Sequence, residues 1–352
     1  LKKILVNTLK FVVFLGTGLG ILYLVYRHQN EAYQAECGLK GIPAEDCSLV
    51  QKVVNDFATA NYGWLLAVLL AFTLSNISRG IRWNMLLRQL GHSPRLINAF
   101  LTIVLGYFAN LGLPRLGEIV RAGAMARYER IPVEKVVGTV VVDRVIDVIS
   151  LLLISMLAVV LEFDLIRDTL GQYINFSKGR TLLIAGGIAL TGLALLYALR
   201  KPLQRSSIYR KIMDMAHGFG EGLRTVARLD KPGWFILHSI NVWFMYYLMV
   251  YLCFLAYGPT AGLSAVAALI VFAFGTWGIV IPSPGGMGTY HFLAQTALGL
   301  YGISGEDGFS FANISFFTIQ LGCNVIVGLL SLVLLPALNN GPAPETAYES
   351  GR

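Results

Sequence analysis

Three groups of polar residues stand inside otherwise apolar sequence, and their types and spacing define the chemistry open to this chain. The first is Arg115, Glu118 and Arg121, which follow the helix-breaking run Gly112-Leu113-Pro114. The second is Asp143-Arg144 with Asp147. The third is Pro282-Ser283-Pro284-Gly285-Gly286-Met287-Gly288-Thr289, with His291 just beyond. A guanidinium grips phosphate or carboxylate through paired N–H groups. A helix restarting after Pro114 or after Gly288 offers backbone N–H groups to an anion. Ser283 and Thr289 bring hydroxyls that either reach a ligand or cap the broken helix ends. Asp143 and Asp147 are four residues apart and share a helix face, and Arg144 reaches Asp147 at a spacing of three. His291 is either a packed structural residue or a pH-sensitive contact at the mouth of a broken helix. Gly285 and Gly286 complete the candidate binding set.

Two carboxylates on one face also permit acid and base roles or metal ligation, which would make the chain an intramembrane lipid-modifying enzyme. No histidine lies at ligand spacing from Asp143 and Asp147, and no nucleophile motif accompanies them. The expectation is therefore a non-enzymatic protein with no catalytic residue, metal or cofactor. An ion-pair network that only holds the first broken segment in place is the competing reading of the charges.

The elements that must position these groups are membrane helices. Hydrophobic residues make up 55% of the 352 and charged residues 14%, against about 25% charged in soluble domains. Apolar runs near 4–26, 62–78, 97–113, 136–160, 181–199, 234–257, 261–281, 287–302 and 311–335 approach the ~20 residues that span a bilayer. The net charge of +8 comes from basic clusters between spans, so it indicates membrane topology and no nucleic-acid partner. The spans predict one integral membrane domain over 1–338, followed by a polar tail at 339–352. The first segment is too long for a signal peptide and lacks a cleavage site, so it reads as a retained anchor.

Loop charges set the topology. Lys2 and Lys3 inside put the acidic loop 27–60 outside, and Arg79, Arg82, Arg88 and Arg95 then fall on the cytoplasmic side. The basic loop 200–232 is also cytoplasmic, with Ile208, Ile212, Met215 and Phe219 at the spacing of an amphipathic helix. Both ends of 96–135 then face the cytoplasm, so 97–113 must enter the membrane, turn near Pro114 and return. Segments 261–281 and 287–302 enter from the opposite face. The fold expected is an all-α polytopic membrane protein with about six full transmembrane helices plus two oppositely oriented re-entrant helical hairpins. If the 27–60 loop meets an oxidising exterior, Cys37 and Cys47 pair as a disulfide. Cys253 and Cys323 sit alone in apolar helices as packing residues.

Paired helix breaks at corresponding places in two halves mark the binding site of a transporter. At these residues the chain resembles the lysylphosphatidylglycerol synthase transmembrane family. The likeness rests on Asn110-Leu111-Gly112-Leu113-Pro114-Arg115-Leu116-Gly117-Glu118 with Arg121, then Asp143-Arg144 with Asp147, then Pro282-Ser283-Pro284-Gly285-Gly286-Met287-Gly288. That resemblance implies a flippase in a prokaryotic cytoplasmic membrane, both termini cytoplasmic. Its substrate would be a membrane lipid with an anionic or polyprenyl-linked headgroup. A separate cytoplasmic lipid-modifying enzyme or glycosyltransferase is the partner it suggests, and an accessory subunit for that enzyme is the alternative reading. Two departures stand out. No soluble aminoacyl-transfer domain follows residue 336, and His291 stands where the family often carries Glu. The carboxylate that would hold an amino headgroup is thus missing there.

Overall fold

A computed structural model describes residues 2–39, 43, 47–112, 116–165, 167–168, 225–281 and 286–339. Among these residues every regular element is helical. The protein is an all-α, multi-pass membrane protein. Four helices are long and apolar enough to cross a bilayer: Tyr62–Gln89, Val133–Leu161, Pro232–Ala256 and Gly305–Asn339. Their large apolar side chains include outward-facing Leu152, Leu153, Met156, Ile236, Ile240, Leu330 and Val333, as expected where lipid is the solvent. The predicted span 181–199 and the core of the 200–232 basic loop lie outside the described residues.

The chain divides into two units, Leu1–Val140 with Asp230–Arg352, and Val141–Leu229. Helix α6 (Val133–Leu161) passes from the first into the second. The first unit contains α1 (Lys2–Leu39), α2 (Leu49–Thr59), α3 (Tyr62–Gln89), α4 (Leu96–Gly112) and α5 (Leu116–Glu129). After Asp230 it continues with α7 (Pro232–Ala256), the short α8 (Gly258–Ala261), α9 (Ala265–Val280) and α10 (Thr289–Gly299). It closes with α11 (Gly305–Phe316), a π-helical turn at Phe317–Cys323 and α12 (Asn324–Asn339).

Two boundaries differ from the sequence expectation for the same reason. Hydropathy falls after Tyr26, but α1 runs on to Leu39 because residues 27–39 are rich in helix formers and carry an Arg27–Glu31 pair at 2.8 Å. The region read as an outer loop is thus largely helical: the end of α1, the Cys37–Cys47 disulfide, and α2. Ser48 caps α2 through the Gln51 N–H. Likewise α3 continues past residue 78 to Gln89, and its stop signals are Gly91, in a left-handed conformation, and Pro94. Arg79 and Arg82 are therefore not loop residues. Both are fully buried within the helix.

The two short hairpins are present and point in opposite directions. Their arms have 17 and 14 residues (α4, α5) and 16 and 11 residues (α9, α10). At 1.5 Å per residue these reach about 16–26 Å, short of the ~30 Å hydrocarbon core. The first hairpin has its feet beside the end of α12. There Arg95 and Asn98 bond both Glu129 and Asn339, and the Asn98–Asn339 amides exchange two bonds of 3.0 Å. Arg130 turns α5 off in a left-handed conformation, with the Ile131 N–H returning to the Ala126 carbonyl.

The second hairpin has its feet at the other end, beside the disulfide. There the Asn61 N–H bonds the Ala256 carbonyl at 2.8 Å, and Tyr26 on α1 meets Phe309 on α11. A four-residue polar cluster pins α2 at the same end. Lys52 Nζ lies 2.9 Å from Asp56 and 2.7 Å from Asp307, and the Tyr257 hydroxyl is 3.0 Å from each carboxylate. Burial opposes the Lys52 ammonium, but hydrogen bonds and charge from Asp307 and Asp56 outweigh it and raise its pKa above the ordinary lysine value. Burial, then the same two carboxylates, push the Tyr257 phenol well up.

Candidate functional site

Short helices can be held as hairpins only if their backbones approach closely, and small residues allow this. In the first hairpin Gly106 faces Gly117, and a Cβ on Gly106 would lie 2.8 Å from the Gly117 carbonyl oxygen. The Asn110 side-chain oxygen accepts the Gly117 N–H at 2.7 Å, capping the first turn of α5. This fixes the face that α5 turns toward α3, and Arg121 lies on it. Its guanidinium carbon is 3.8 Å above the Trp83 ring, a stacking distance. Trp83 is itself held: its indole N–H donates to the Thr139 hydroxyl at 2.9 Å.

Trp83 sits between two more buried cations on α3. Arg82 donates to the Ser239 hydroxyl at 3.4 Å, with its guanidinium 5.9 Å from the Phe235 ring centroid. Arg79, one turn earlier, stands 5.9 Å from the Tyr246 ring centroid. Arg79, Arg82 and Arg121 are each at most 2% exposed. By residue count Arg82 lies about 10 Å, and Arg79 about 15 Å, from the Gln89 end of α3. A neutral polar rim continues from them. Tyr246 and Tyr107 share a hydroxyl contact of 3.0 Å, and the Asn241 amide donates to Ser78 at 2.7 Å. Tyr107, Asn110, Asn241 and Tyr246 are only half-buried, whereas the arginines behind them are closed off.

The second hairpin is equally tight, but its polar groups are used within it. A Cβ on Gly278 would lie 2.8 Å from the Thr289 carbonyl oxygen, and one on Gly275 would lie 2.7 Å from the Tyr290 ring. Gly286 and Gly288 both take φ +82, which glycine adopts without strain. The Thr289 hydroxyl reaches the Gly278 carbonyl at 2.6 Å and the Gly286 carbonyl at 3.1 Å, tying the two arms together. His291 accepts the Gly288 N–H through Nδ1 at 3.4 Å, and its ring packs 4.8 Å from that of Phe316. The Tyr290 hydroxyl meets Ser315 at 2.8 Å, which joins this hairpin to α11.

Of the residues singled out in the sequence, Arg121 joins the buried cluster and Glu118 lies half-buried one turn before it. Gly286, Thr289 and His291 gather in the second hairpin. Asp143 and Asp147 are buried on the part of α6 in the second unit, where Arg144 lies 3.5 Å from Asp147. Arg115, Ser283 and Gly285 lie outside the described residues. Arg79 and Arg82 are the two side chains that the sequence reading missed. The charges of 79–95 look like a cytoplasmic margin, but Arg79 and Arg82 at a spacing of three, flanking Trp83 with no stop signal before Gly91, are also the mark of one continuing helical face.

Comparison with known proteins agrees with this architecture. The chain is 26% identical over 247 residues to a UPF0104 membrane protein of Methanothermobacter thermautotrophicus, covering 64% of this chain and 71% of that one. It is 24% identical over 257 residues to a UPF0104 membrane protein of Methanocaldococcus jannaschii, covering 68% and 75%. No solved structure matches. The family model described as the lysylphosphatidylglycerol synthase TM region matches residues 48–328, from just before α2 into α12 and across both hairpins. The chain belongs to that family.

Proposed function

We propose that this protein translocates a lipid with a phosphate-bearing headgroup, phospho- or polyprenyl-phosphate-linked, across a prokaryotic cytoplasmic membrane, without chemically altering it. One observation carries the reading: three guanidiniums are buried at the first broken hairpin, inside helices of membrane length. An arginine at the centre of a membrane helix costs about 2.5–3.5 kcal/mol by insertion scales. Three arginines set beside one re-entrant turn are an expensive arrangement for packing alone, and guanidinium is the side chain best shaped to hold phosphate. Acyl chains remain in lipid while the headgroup moves past the hairpin. The lipid named in the family's description supports the same class of cargo.

Orientation follows from charge. Arg88, Arg95, Arg127, Arg130, Lys135 and Lys231 gather at the end of the first unit where α3 and α12 finish, and this end is assigned to the cytoplasm. The disulfide end is assigned to the exterior, where Cys37–Cys47 is stable. A separate cytoplasmic enzyme that builds or modifies the lipid is the partner this arrangement requires, since the reading gives the chain no chemistry of its own.

The test is transbilayer movement of a fluorescent phospholipid in vesicles containing the purified protein. Movement should fall at least about tenfold, equivalent to ~1.4 kcal/mol of lost stabilisation, in Arg121→Ala and in Arg79→Ala. Thermal melting of the same preparations shows whether each variant is folded. Wild-type rates in folded arginine variants would overturn the proposal.

A further inference from the structure

The polar rim next to the buried arginines carries information about the headgroup itself, and this inference rests on the lipid reading above. Four helices of the first unit supply the site: α3, α4, α5 and α7. Three of them, α3, α4 and α7, contain no Asp or Glu at all. On α5, Glu129 is occupied by Arg95 and Asn98, which leaves Glu118 as the one further carboxylate on these helices. What the helices offer instead is hydroxyl and amide groups: Tyr107, Tyr246, Ser78, Asn241 and Ser239.

The layout is layered. The guanidiniums of Arg79 and Arg82 are buried, and the phenols of Tyr107 and Tyr246 with the amide of Asn241 are half-exposed in front of them. Arg79 stands at the Tyr246 ring, so floor and rim meet at that residue. A guanidinium stacked by its face, as Arg121 is on Trp83, keeps its N–H fork in its own plane, the direction in which a phosphate is held. A group placed beyond that phosphate meets neutral donors and acceptors. It meets few carboxylates, which a cationic headgroup would need, because a buried ammonium without an acidic partner is strongly disfavoured.

We propose that the seam formed by Arg79, Arg82, Tyr107, Asn241 and Tyr246 selects lipids whose phosphate is esterified to a hydroxyl-rich, uncharged group, a sugar or polyol. It discriminates against amine-bearing headgroups. The arginines bind the phosphate; the two phenols and Asn241 bind ring or chain hydroxyls. A site that hydrogen-bonds a hydroxyl rejects the analogue lacking it, because its own polar groups are then left unpaired.

Binding measured in nanodiscs tests this without requiring transport. The purified full chain is placed in phosphatidylcholine nanodiscs doped with one lipid at a time, and retention of that lipid is read by native mass spectrometry. The probes are phosphatidylinositol, phosphatidylglycerol and phosphatidylethanolamine with identical acyl chains. The expected order is phosphatidylinositol, then phosphatidylglycerol, with phosphatidylethanolamine at least about tenfold weaker than the first, the scale of one lost hydrogen bond to a charged group. Arg79→Gln should bring all three to the same low level. Tyr107→Phe, which removes one oxygen and leaves packing intact, should cost phosphatidylinositol about threefold or more while sparing phosphatidylethanolamine.

Equal retention of phosphatidylethanolamine, or a Tyr107→Phe variant with unchanged preference, overturns the headgroup assignment. Selective binding in nanodiscs with no movement in vesicles would leave the headgroup assignment standing and remove the translocation proposal. Movement without headgroup preference would do the reverse.

Discussion

The two hairpins use one backbone device for two different ends. In each, glycines let a pair of short helices approach until a single Cβ would collide: Gly106 against Gly117 in the first, Gly278 against Thr289 in the second. The polar side chains are then disposed differently. In the second hairpin Thr289 bonds the opposite arm and His291 caps its own helix, so both are consumed in holding the break together. In the first, a single amide, Asn110, does the capping, and Arg121 is turned outward onto Trp83 of a neighbouring helix. The same polar residue types therefore mean different things at the two breaks. The first is built to present charge, and the second is built to stay closed around its own turn.

The comparison can be broken most severely at the arginines. Replacing Arg82 and Arg121 together by alanine should lower lipid movement about a hundredfold, since each removes a charge-assisted contact of roughly 1.5–3 kcal/mol. Thr289→Val should leave movement within about threefold of wild type while lowering thermal stability. A reversed pattern, with the second hairpin controlling transport, would dissolve the distinction.

The next largest effects concern packing, read by thermal unfolding in detergent. Gly278→Ala forces a methyl to within 2.8 Å of backbone atoms of Thr289 and Tyr290, so about 1–3 kcal/mol of stability should be lost. Gly112→Ala meets nothing within 4 Å and should change stability by less than about 0.5 kcal/mol. Equal effects would mean that close approach is not what holds the hairpins.

Smaller still is the clamp on α2. Lys52→Met removes the one cation shared by Asp56 and Asp307 and should loosen α2, seen as faster hydrogen exchange over residues 49–59, for about 1 kcal/mol. The pH dependence has a definite sign. Because the pKa of Lys52 is raised in the folded protein, its contribution is complete below the ordinary lysine value of 10.5 and is lost as pH climbs through the folded value. Exchange of α2 should therefore be flat through pH 9 and rise only beyond about pH 10.5. Protection that is lost by pH 9 would contradict the clamp.

Much of the fold was legible because membrane sequence is read by its interruptions. Pro114 with Gly112, and Pro282 with Gly285 and Gly286, located both hairpin turns, and loop charge fixed their opposite directions. The Cys37–Cys47 pair followed from its place in a non-apolar stretch. What stayed hidden lies where hydropathy and helicity part company. Residues 27–39 are polar yet helical, and α3 carries Arg79 and Arg82 inward while its hydropathy declines. A reader following stop signals would have run α3 to Gly91 and found two arginines on one face of a span. The π-helical turn at Phe317–Cys323 has no breaker residue to announce it; its Gly322 and its apolar neighbours resemble ordinary helix. At the candidate site, Arg121 was readable from its distance to the Pro114 break. The aromatic platforms under the arginines were not, because Trp83, Phe235 and Tyr246 come together only through packing of α3 on α7 and α5.

The central claim is that the first hairpin handles the headgroup and the second does not. Its most direct test is a side-by-side vesicle assay of Arg121→Ala and His291→Gln, each at matched protein density and each confirmed folded by its melting curve. The account predicts at least about a tenfold loss of lipid movement in Arg121→Ala and near-normal movement in His291→Gln. Normal movement in Arg121→Ala, or a loss confined to His291→Gln, would contradict it.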